Sequence, residues 1–456
     1  MRFDAIIIGS GQAGVPLAGA LTGRGWKVAL AEGGHLGGTC VNTGCSPTKT
    51  IVASARAAHM ARRGSDFGVN TGVVSVDFAR VMARKDAIVE RFRGGIEKRL
   101  TGIDNLTIYR SFAAFEGPNR VRVGDDVIES ERIYINTGAR ASAPSIPGLD
   151  AVDTLDNSSI LEIKTLPEHL VIIGGGYIGL EYGQAFRRFG SKVTIIERTG
   201  QIMGREDADI AQAALELFEG EGIDVRLNAS VSRVEPDGAG GIRVHLDTEG
   251  QAGTVTGSHL LIAAGRRPNA DRLNLASTGI ETDKRGYIVV DDHLRTTAEG
   301  VWALGDVNGR GAFTHTSYND YEILLDNLDG GGRKVSDRIP VYGVFIDPPL
   351  GRVGMSEQEV RASGIRALIG VKPMREISRA QERDETHGLM KVLIDAESQQ
   401  FLGAAIFGIG GDEIVHSIVD LMYARAPYTV MKNAVHIHPT VTELIPTLLG
   451  ELKPLT

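Results

Sequence analysis

Short apolar runs recur along the chain, and the clearest occupy residues 5–8, 28–31, 170–173 and 193–196, of which the last is interrupted by Thr194. Such runs lack the alternation of a half-exposed strand and are typical of strands buried on both faces of a parallel sheet. Helical stretches follow the first and third runs and extend to about Thr22 and about Phe189. The pattern predicts two βαβ units and an α/β fold.

The turn from strand to helix carries the same glycine pattern in both units. The residues of these dinucleotide fingerprints are Gly9, Gly11, Gly14 and Glu32 in the first unit, and Gly174, Gly176, Gly179 and Glu197 in the second. The glycines let the backbone approach a pyrophosphate at a helix N-terminus, and the acid accepts a hydrogen bond from a ribose hydroxyl. Two units indicate two dinucleotides, as hydride transfer from a nicotinamide to a flavin requires. The alternative is that one unit is a vestigial fold element.

The rest of the chain is less regular but still divides into elements. These are a long polar-faced helix over 75–101, short strands over 105–136, a linker over 143–148, strands that lead into glycine turns at Gly138 and Gly265, and a strand that ends at Asp306. After about Gly332 the composition shifts to a mixed α+β segment, in which His438 and Glu443 lie near the end.

Both cysteines of the chain, Cys40 and Cys45, lie within one segment rich in glycine and hydroxyl groups. A disulfide requires Cα atoms about 4.4–6.8 Å apart, whereas five residues of regular helix rise about 7.5 Å, so a bridge cannot span undistorted helix. Gly44 supplies backbone freedom, and Pro47 suits the first turn of a helix. Cys45 is therefore expected at or beside a helix N-terminus, where the dipole favours a thiolate. The alternative is two buried, unpaired cysteines.

Composition narrows the function classes. The chain has 49 basic and 57 acidic side chains, a net charge of −8 and no basic tract, which argues against nucleic acid and anionic membranes as partners. An apolar strand follows Met1 almost at once, so we expect no signal peptide, and no apolar run approaches the ~18–20 residues of a membrane helix. Two cysteines in such a chain indicate redox chemistry in the cytoplasm rather than a structural disulfide framework. No metal site is predicted.

The cysteine segment, the paired fingerprints, residues 301–306 and the His438-Pro439-Thr440…Glu443 segment together resemble the class I FAD-dependent pyridine nucleotide–disulfide oxidoreductases. The resemblance covers essentially the whole chain. It implies two Rossmann-like domains, for FAD and NAD(P), and a C-terminal α+β dimerisation domain in a homodimer whose subunits share each active site. The expected limits are 1–148 for the first part of the FAD domain, 149–270 for the NAD(P) domain, 271–334 for a segment that returns to the FAD domain, and 335–456 for the dimerisation domain.

The resemblance also implies roles for single residues. Cys45 would face the flavin and Cys40 would exchange with substrate. Lys49 and Glu181 would form an ion pair beside the reactive flavin nitrogen. The remaining FAD contacts would come from Gly9, Gly11, Gly14, Glu32, Thr39, Gly138, Asp306 and Thr314. The NAD(P) contacts would come from Gly174, Gly176, Gly179, Glu197, Gly265 and Tyr177. Tyr177 would also cover the flavin until the nicotinamide arrives.

By the same resemblance, His438 would be the acid–base group, supplied by the other subunit and oriented by Glu443. A thiolate that attacks a disulfide releases a thiol that needs a proton, and histidine titrates near neutrality. A carboxylate on the other ring nitrogen fixes the tautomer. His436 is the competing residue, but it lacks the following Pro-Thr and a glutamate five residues later, so we interpret it as structural.

The choice of nucleotide and substrate depends on a few positions. A carboxylate at Glu197 favours a ribose hydroxyl over a 2′-phosphate, and hence NADH over NADPH, although Arg198 follows it directly. Residues 12–22 contain no cation, unlike the region that holds glutathione in glutathione reductases, and the C-terminus lacks the cysteine pair of mercuric reductases. Three interpretations remain open: a disulfide reductase or dithiol dehydrogenase, a metal-ion or quinone reductase, and a non-catalytic flavoprotein subunit.

Overall fold

The computed structural model describes residues 1–456. Its first half contains β1 (Ala5–Ile8), α1 (Gly14–Gly23), β2 (Val28–Ala31), α2 (Gly38–Asn42), α3 (Cys45–Arg62), α4 (Phe78–Thr101), β3 (Leu106–Tyr109), β4 (Ala113–Gly117), β5 (Arg120–Val123), β6 (Asp126–Glu129), β7 (Ile133–Ile135), β8 (Ala139–Ala141), β9 (Thr154–Leu155), β10 (His169–Ile173), α5 (Tyr177–Phe189), β11 (Lys192–Ile196), α6 (Ala208–Gly220) and β12 (Asp224–Arg226). The second half contains β13 (Ala229–Pro236), β14 (Ile242–Thr248), β15 (Gln251–Gly257), β16 (His259–Ile262), β17 (Arg266–Pro268), β18 (Val301–Ala303), α7 (Thr314–Leu328), β19 (Val341–Val344), β20 (Leu350–Gly354), α8 (Glu357–Ser363), β21 (Ala367–Pro373), α9 (Ser378–Glu382), β22 (Leu389–Asp395), β23 (Phe401–Phe407), α10 (Gly411–Ile414), α11 (His416–Tyr423), α12 (Thr429–Lys432), α13 (Leu444–Leu448) and β24 (Lys453–Pro454).

The first predicted unit forms a five-stranded parallel sheet in the order β18-β7-β1-β2-β3. All four residues of β1 are buried, because the sheet is covered on both faces. Ile6 and Ile8 pack against the antiparallel sheet β4-β5-β6, whereas Ala5 and Ile7 pack against helices α1, α4 and α7. The continuous apolar run at the start of the chain is explained by this double burial.

The second unit repeats this construction with a parallel sheet in the order β12-β11-β10-β16-β9. Leu170 and Ile172 face α5 and α6, and Val171 and Ile173 face the antiparallel sheet β13-β14-β15. The predicted α/β class with two Rossmann-like parts is therefore confirmed. Helix α5 ends at Phe189 as predicted, and α4 begins at Phe78 rather than at residue 75 because Asp77 caps it by accepting a hydrogen bond from the Arg80 amide.

The C-terminal part is a six-stranded antiparallel sheet in the order β19-β20-β23-β22-β21-β24, with a core that it shares with α11 and α13. This agrees with the mixed α+β segment predicted after Gly332. No helix of the structure is both long and apolar enough to cross a membrane. The limits assigned to the four parts of the chain from its sequence stay predictions.

Candidate active site

A cavity of about 900 Å³ lies between the first sheet, the start of α5 and strand β19. Twelve of the residues predicted from the sequence line it: Gly9, Gly11, Glu32, Thr39, Cys40, Cys45, Lys49, Gly138, Tyr177, Glu181, Asp306 and Thr314. Residues that are distant in the chain thus meet in one space, of a size typical of sites for organic ligands. Gly14 lies at the base of the same turn, whereas the fingerprint of the second unit, His438 and Glu443 lie outside the cavity.

The first glycine turn forms a cradle at the N-terminus of α1. Gly9 has a positive φ of 102°, and a side chain there would collide with the carbonyl of Asn136. A side chain at Gly14 would collide with the carbonyl of Gly9. The Glu32 carboxylate borders the cavity and accepts hydrogen bonds from the amides of Ser10 at 2.9 Å and Gly34 at 2.8 Å. A bare backbone turn with a fixed carboxylate beside it fits the pyrophosphate and ribose of FAD.

Asn136, for which no role is predicted from the sequence, holds this turn in place. Its side-chain oxygen accepts a hydrogen bond from the Gly14 amide at 3.0 Å, and its side-chain nitrogen donates to the Leu304 carbonyl at 2.8 Å. The signal available in the sequence was a polar residue directly after a buried strand, ahead of the glycine turn at Gly138.

The two cysteines lie on either side of a break between helices. Cys40 belongs to α2, and Cys45 is the first residue of α3, which is the helix N-terminus that the sequence predicts. Both are free thiols in this structure. The Cys45 sulfur lies 3.3 Å from the Thr314 hydroxyl oxygen. Helix geometry places Lys49 one turn after Cys45 on the same face.

The surroundings of the two thiols shift their pKa values in opposite directions. A hydrogen bond from Cys40 lowers the pKa of Cys45 to about 6, and Thr314 and the charge of Lys49 act in the same direction. The same hydrogen bond, together with burial, raises the pKa of Cys40. These opposite shifts favour a thiolate at Cys45 and a protonated thiol at Cys40.

Lys49 and Glu181 form the ion pair that the resemblance implies. The Lys49 nitrogen lies 2.7 Å from a carboxylate oxygen of Glu181, whose side chain is only 3% exposed. The other oxygen of Glu181 accepts a hydrogen bond from the Phe345 amide at 3.0 Å, and the Lys49 nitrogen lies 4.6 Å from the centre of the Phe345 ring. Because Lys49 lies on α3 and Glu181 on α5, the pair joins the two units at the cavity wall.

Tyr177 is the first residue of α5, and its ring centre lies 6.0 Å from that of Phe313. On the same side of the cavity, Arg266 contacts Asp306 at 2.8 Å. Burial raises the pKa of Asp306, and the positive charge of Arg266 opposes that rise. Arg266 and Phe313 were not assigned from the sequence, although Arg266 directly follows the predicted glycine turn at Gly265.

His438 and Glu443 meet, but away from the thiols of the same chain. The Nδ1 atom of His438 lies 3.0 Å from both carboxylate oxygens of Glu443, and the His438 side chain is 76% exposed. Two apolar residues beside it, Val435 and Ile437, are 100% and 80% exposed. His436 makes no such pair: its Nε2 atom is buried without a partner.

The second fingerprint has the same kinds of close contact and hydrogen bond as the first. A side chain at Gly174 would approach the Ala263 carbonyl to 2.6 Å, and one at Gly179 would collide with the Gly174 carbonyl. The Glu197 carboxylate accepts hydrogen bonds from the amides of Gly175 at 2.8 Å and Thr199 at 2.9 Å. The turn thus has the form of a second nucleotide site.

Comparison with known proteins gives matches along nearly the whole chain. The family described as pyridine nucleotide-disulphide oxidoreductase matches residues 3–320, and the dimerisation domain of that family matches residues 341–449. A mercuric reductase of Bacillus cereus is 34% identical over 95% of this chain and 70% of its own length. A dihydrolipoyl dehydrogenase of Haloferax volcanii is 31% identical over 97% of this chain and 94% of its own length.

Solved structures show the same relationship in three dimensions. The structure of the HOCl-induced flavoprotein disulfide reductase RclA from Escherichia coli superposes with a TM-score of 0.90 at 37% identity, over 99% of this chain and 100% of that chain. A Cu(II) complex of RclA also superposes with a TM-score of 0.90, at 36% identity over 99% of both chains. The chain therefore belongs to the pyridine nucleotide-disulphide oxidoreductases, as an FAD enzyme that passes electrons between NAD(P)H and sulfur groups and carries the dimerisation domain of that family.

Proposed function

We propose that Cys40 and Cys45 are the redox-active pair of a disulfide reductase and that Cys40 exchanges with the substrate. The observation that carries the proposal is the division of the pair, with a thiolate at Cys45 beside Thr314 and Lys49 and a protonated thiol at Cys40. When bound, FAD supplies the two-electron exchange between the nicotinamide and these thiols.

The chemistry of the chain's own residues then follows in two exchange steps. Cys40 gives its proton to a base and attacks one sulfur of the substrate, whose S–S bond breaks to release the first thiol with a proton. The Cys45 thiolate attacks the Cys40 sulfur of the mixed disulfide, which closes the Cys40–Cys45 bond and releases the second sulfur as a thiolate that takes a proton from water. The substrate is reduced by two electrons, and the cysteine pair is oxidised by two.

We assign the proton transfers to His438 of a second subunit, held by Glu443. Two observations support this assignment: the ring is paired to a carboxylate at 3.0 Å, and it stands exposed among exposed apolar residues on a chain with a dimerisation domain. A paired imidazole of this kind can take the proton of Cys40 and return it to the leaving thiol.

We infer that NADH is preferred to NADPH. The Glu197 carboxylate is fixed at the end of β11 by two backbone amides, so it cannot move aside at low cost. A 2′-phosphate at this position would meet a fixed negative charge, whereas a ribose hydroxyl would donate to it.

A metal ion is the second candidate substrate. Two solved structures of the E. coli relative are Cu(II) complexes, and both thiols of this chain border the cavity. The chain has two cysteines in total, so the thiols that receive the ion would be Cys40 and Cys45 themselves. Electron transfer to a bound ion needs no proton donor for a leaving thiol, so this reaction would not depend on His438.

Replacing His438 by Ala separates the two candidates. We expect turnover of lipoamide or glutathione disulfide with NADH to fall by about 100-fold or more, the usual size of a lost acid–base group, while reduction of a quinone is unchanged. His436→Ala is the matched control and should leave both rates unchanged. Equal losses of disulfide and quinone turnover in His438→Ala would contradict the assignment. Cu(II) turnover that exceeds every disulfide in the unmodified enzyme would favour the second candidate.

A further inference from the structure

A group of charged side chains, four of them buried and two partly exposed, lies outside the cavity between the second unit and the C-terminal sheet. We call it the interdomain charge cluster, and its members are Glu206, Asp207, Asp209, Arg352, Glu357 and Lys391. One guanidinium nitrogen of Arg352 lies 3.1 Å from Glu206 and 3.0 Å from Asp207. Lys391 lies 2.7 Å from both Asp209 and Glu357. The function derived above uses none of these residues.

Tyr342 connects this cluster to the cavity. Its hydroxyl donates a hydrogen bond to the Glu206 carboxylate. Its ring stacks on Phe313, with ring centres 5.5 Å apart and planes inclined by 5°. The other neighbours of the Phe313 ring are His315, at 5.4 Å between centres, and Tyr177, at 6.0 Å. All four rings line the cavity, so Tyr342 is held by the second unit at its hydroxyl and forms the cavity wall with its ring.

Burial strengthens the dependence of Glu206 on the hydrogen bond from the Tyr342 hydroxyl, which we call the anchor of Tyr342. Glu206 is 8% exposed, and burial raises the pKa of its carboxyl group while Arg352 opposes the rise. A buried carboxylate depends on each donor that it has, because a lost partner leaves charge unsatisfied in a poorly solvated place. The hydrogen bond to Glu206 therefore fixes the position of the hydroxyl end of Tyr342, and the stack with Phe313 fixes the plane of its ring.

We propose that Tyr342 is a positioning residue for Tyr177, the ring that occupies the nicotinamide's place until NADH binds. Glu206, held by Arg352, fixes the Tyr342 ring; that ring fixes Phe313; and Phe313 supports Tyr177 at the place that the nicotinamide takes. The inference rests on the proposed function and on the role that the family resemblance implies for Tyr177, which covers the flavin until the nicotinamide arrives. The competing explanation is that the cluster only holds the two domains together and that Tyr342 fills space.

The test compares Tyr342→Phe with Asp209→Asn in the FAD-loaded enzyme. Tyr342→Phe keeps the ring and removes the anchor, whereas Asp209→Asn disturbs the cluster at Lys391 without touching Tyr342 or Glu206. We measure the KM for NADH, the rate of flavin reduction in anaerobic stopped flow, the Kd of NAD⁺ from flavin fluorescence, and the melting temperature. We expect Tyr342→Phe to lower KM and Kd about fivefold with kcat within about twofold, because a less firmly held Tyr177 competes less with the nicotinamide for its place. Asp209→Asn should lower the melting temperature and leave KM and Kd unchanged.

Two further variants complete the test. Glu206→Gln retains an oxygen that accepts from the Tyr342 hydroxyl, so it should stay within about twofold of the unmodified enzyme in KM and Kd although it loses a charge. Tyr177→Ala removes the cover and should tighten NAD⁺ binding. The proposed role of Tyr342 would be overturned if KM and Kd were unchanged in Tyr342→Phe, or if Asp209→Asn shifted both constants as much as Tyr342→Phe does. An unchanged Kd in Tyr177→Ala would instead overturn the proposed role of Tyr177, which keeps the two failures apart.

Discussion

The two nucleotide units hold their ribose-side carboxylates with the same hydrogen bonds. One oxygen of Glu32 accepts from the amide of Ser10 at 2.9 Å, and one oxygen of Glu197 accepts from the amide of Gly175 at 2.8 Å. In each unit the other oxygen accepts from the amide two residues further on, at 2.8 Å in the first unit and 2.9 Å in the second. The local sequence pattern therefore produces the same local structure twice.

The difference lies in what surrounds each turn. At the end of β7, Asn136 binds the Gly14 amide and the Leu304 carbonyl, whereas the equivalent position after β16 is Ala263, which has no polar side chain. A side chain at Gly11 would approach the Asn136 side-chain oxygen to 2.8 Å, whereas one at Gly176 would meet no atom within 4 Å. An enclosed turn suits a cofactor that stays bound, and an open one suits a nucleotide that enters and leaves at each turnover.

The most severe way to test this comparison is to fill the equivalent glycine in each unit. Gly14→Ala places a methyl group against the Gly9 carbonyl and so deforms the turn at the N-terminus of α1. Because this turn is the proposed pyrophosphate site, we expect the FAD content after purification to fall by about tenfold or more. Gly179→Ala makes the same collision with the Gly174 carbonyl, and it should keep FAD but lose the reduction of the flavin by NADH. The absorbance ratio at 450 and 280 nm reports FAD content.

Gly19→Ala is the control for that experiment. Gly19 lies in α1, and a side chain there meets no atom within 4 Å, so the variant should retain FAD. Loss of FAD from Gly179→Ala to the same extent as from Gly14→Ala would show that the two units do not bind separate nucleotides.

A smaller effect is expected from the two carboxylates. Glu197→Ala removes the fixed charge that a 2′-phosphate would meet, so the ratio of kcat/KM for NADH to that for NADPH should fall by about tenfold. Glu32→Ala should weaken FAD binding and leave that ratio unchanged, because its carboxylate belongs to the other unit. Steady-state kinetics with both nucleotides measure the ratio. An unchanged ratio in Glu197→Ala would remove the basis for a preference for NADH.

For replacement of Asn136 we expect a still smaller change, in the affinity for FAD. Asn136→Ala leaves the buried Gly14 amide without its partner, which costs about 1 kcal/mol and should weaken FAD binding by about fivefold, as measured by fluorescence on dilution. Asn105→Ala removes a partly buried side chain that donates to the Thr22 and Trp26 carbonyls of the same domain. It should lower the melting temperature without loss of FAD, and equal FAD loss in both variants would mean that general destabilisation is the cause.

Local patterns accounted for much of the fold and part of the site. The buried strands, the glycine turns and the start of α3 at Cys45 each depend on residues close together in the chain, and so does the pairing of His438 with Glu443. Asn136, Arg266, Phe313 and Tyr342 gave no comparable signal, because each acts on a partner that is distant in sequence. An asparagine after a strand becomes a clamp only when Gly14 and Leu304 are packed beside it.

The cause of the thiolate at Cys45 also lay beyond sequence reasoning. The helix N-terminus explains a lowered pKa from position alone. In the structure the largest cause is the hydrogen bond from Cys40, and then that of Thr314, which α7 brings from the distant end of the first sheet. Close spacing indicated a disulfide pair, but which thiol keeps the proton depends on groups that only the tertiary fold assembles.

The smallest predicted effect is on the pH at which that thiolate forms. A side chain from each of the two units shifts the pKa of Cys45, and the two shifts have opposite signs. Thr314, on the side of the first unit, lowers the pKa of Cys45, whereas the charge of Glu181, on α5 of the second, raises it. We expect the thiolate-dependent long-wavelength absorbance of the two-electron-reduced enzyme to disappear as the pH falls through about 6. Thr314→Val should move this midpoint up and Glu181→Gln should move it down, each by about one pH unit or less. Ser54→Ala, further along α3, should leave it unchanged, and shifts of the same sign in the first two variants would show that the two units do not act on Cys45 in opposition.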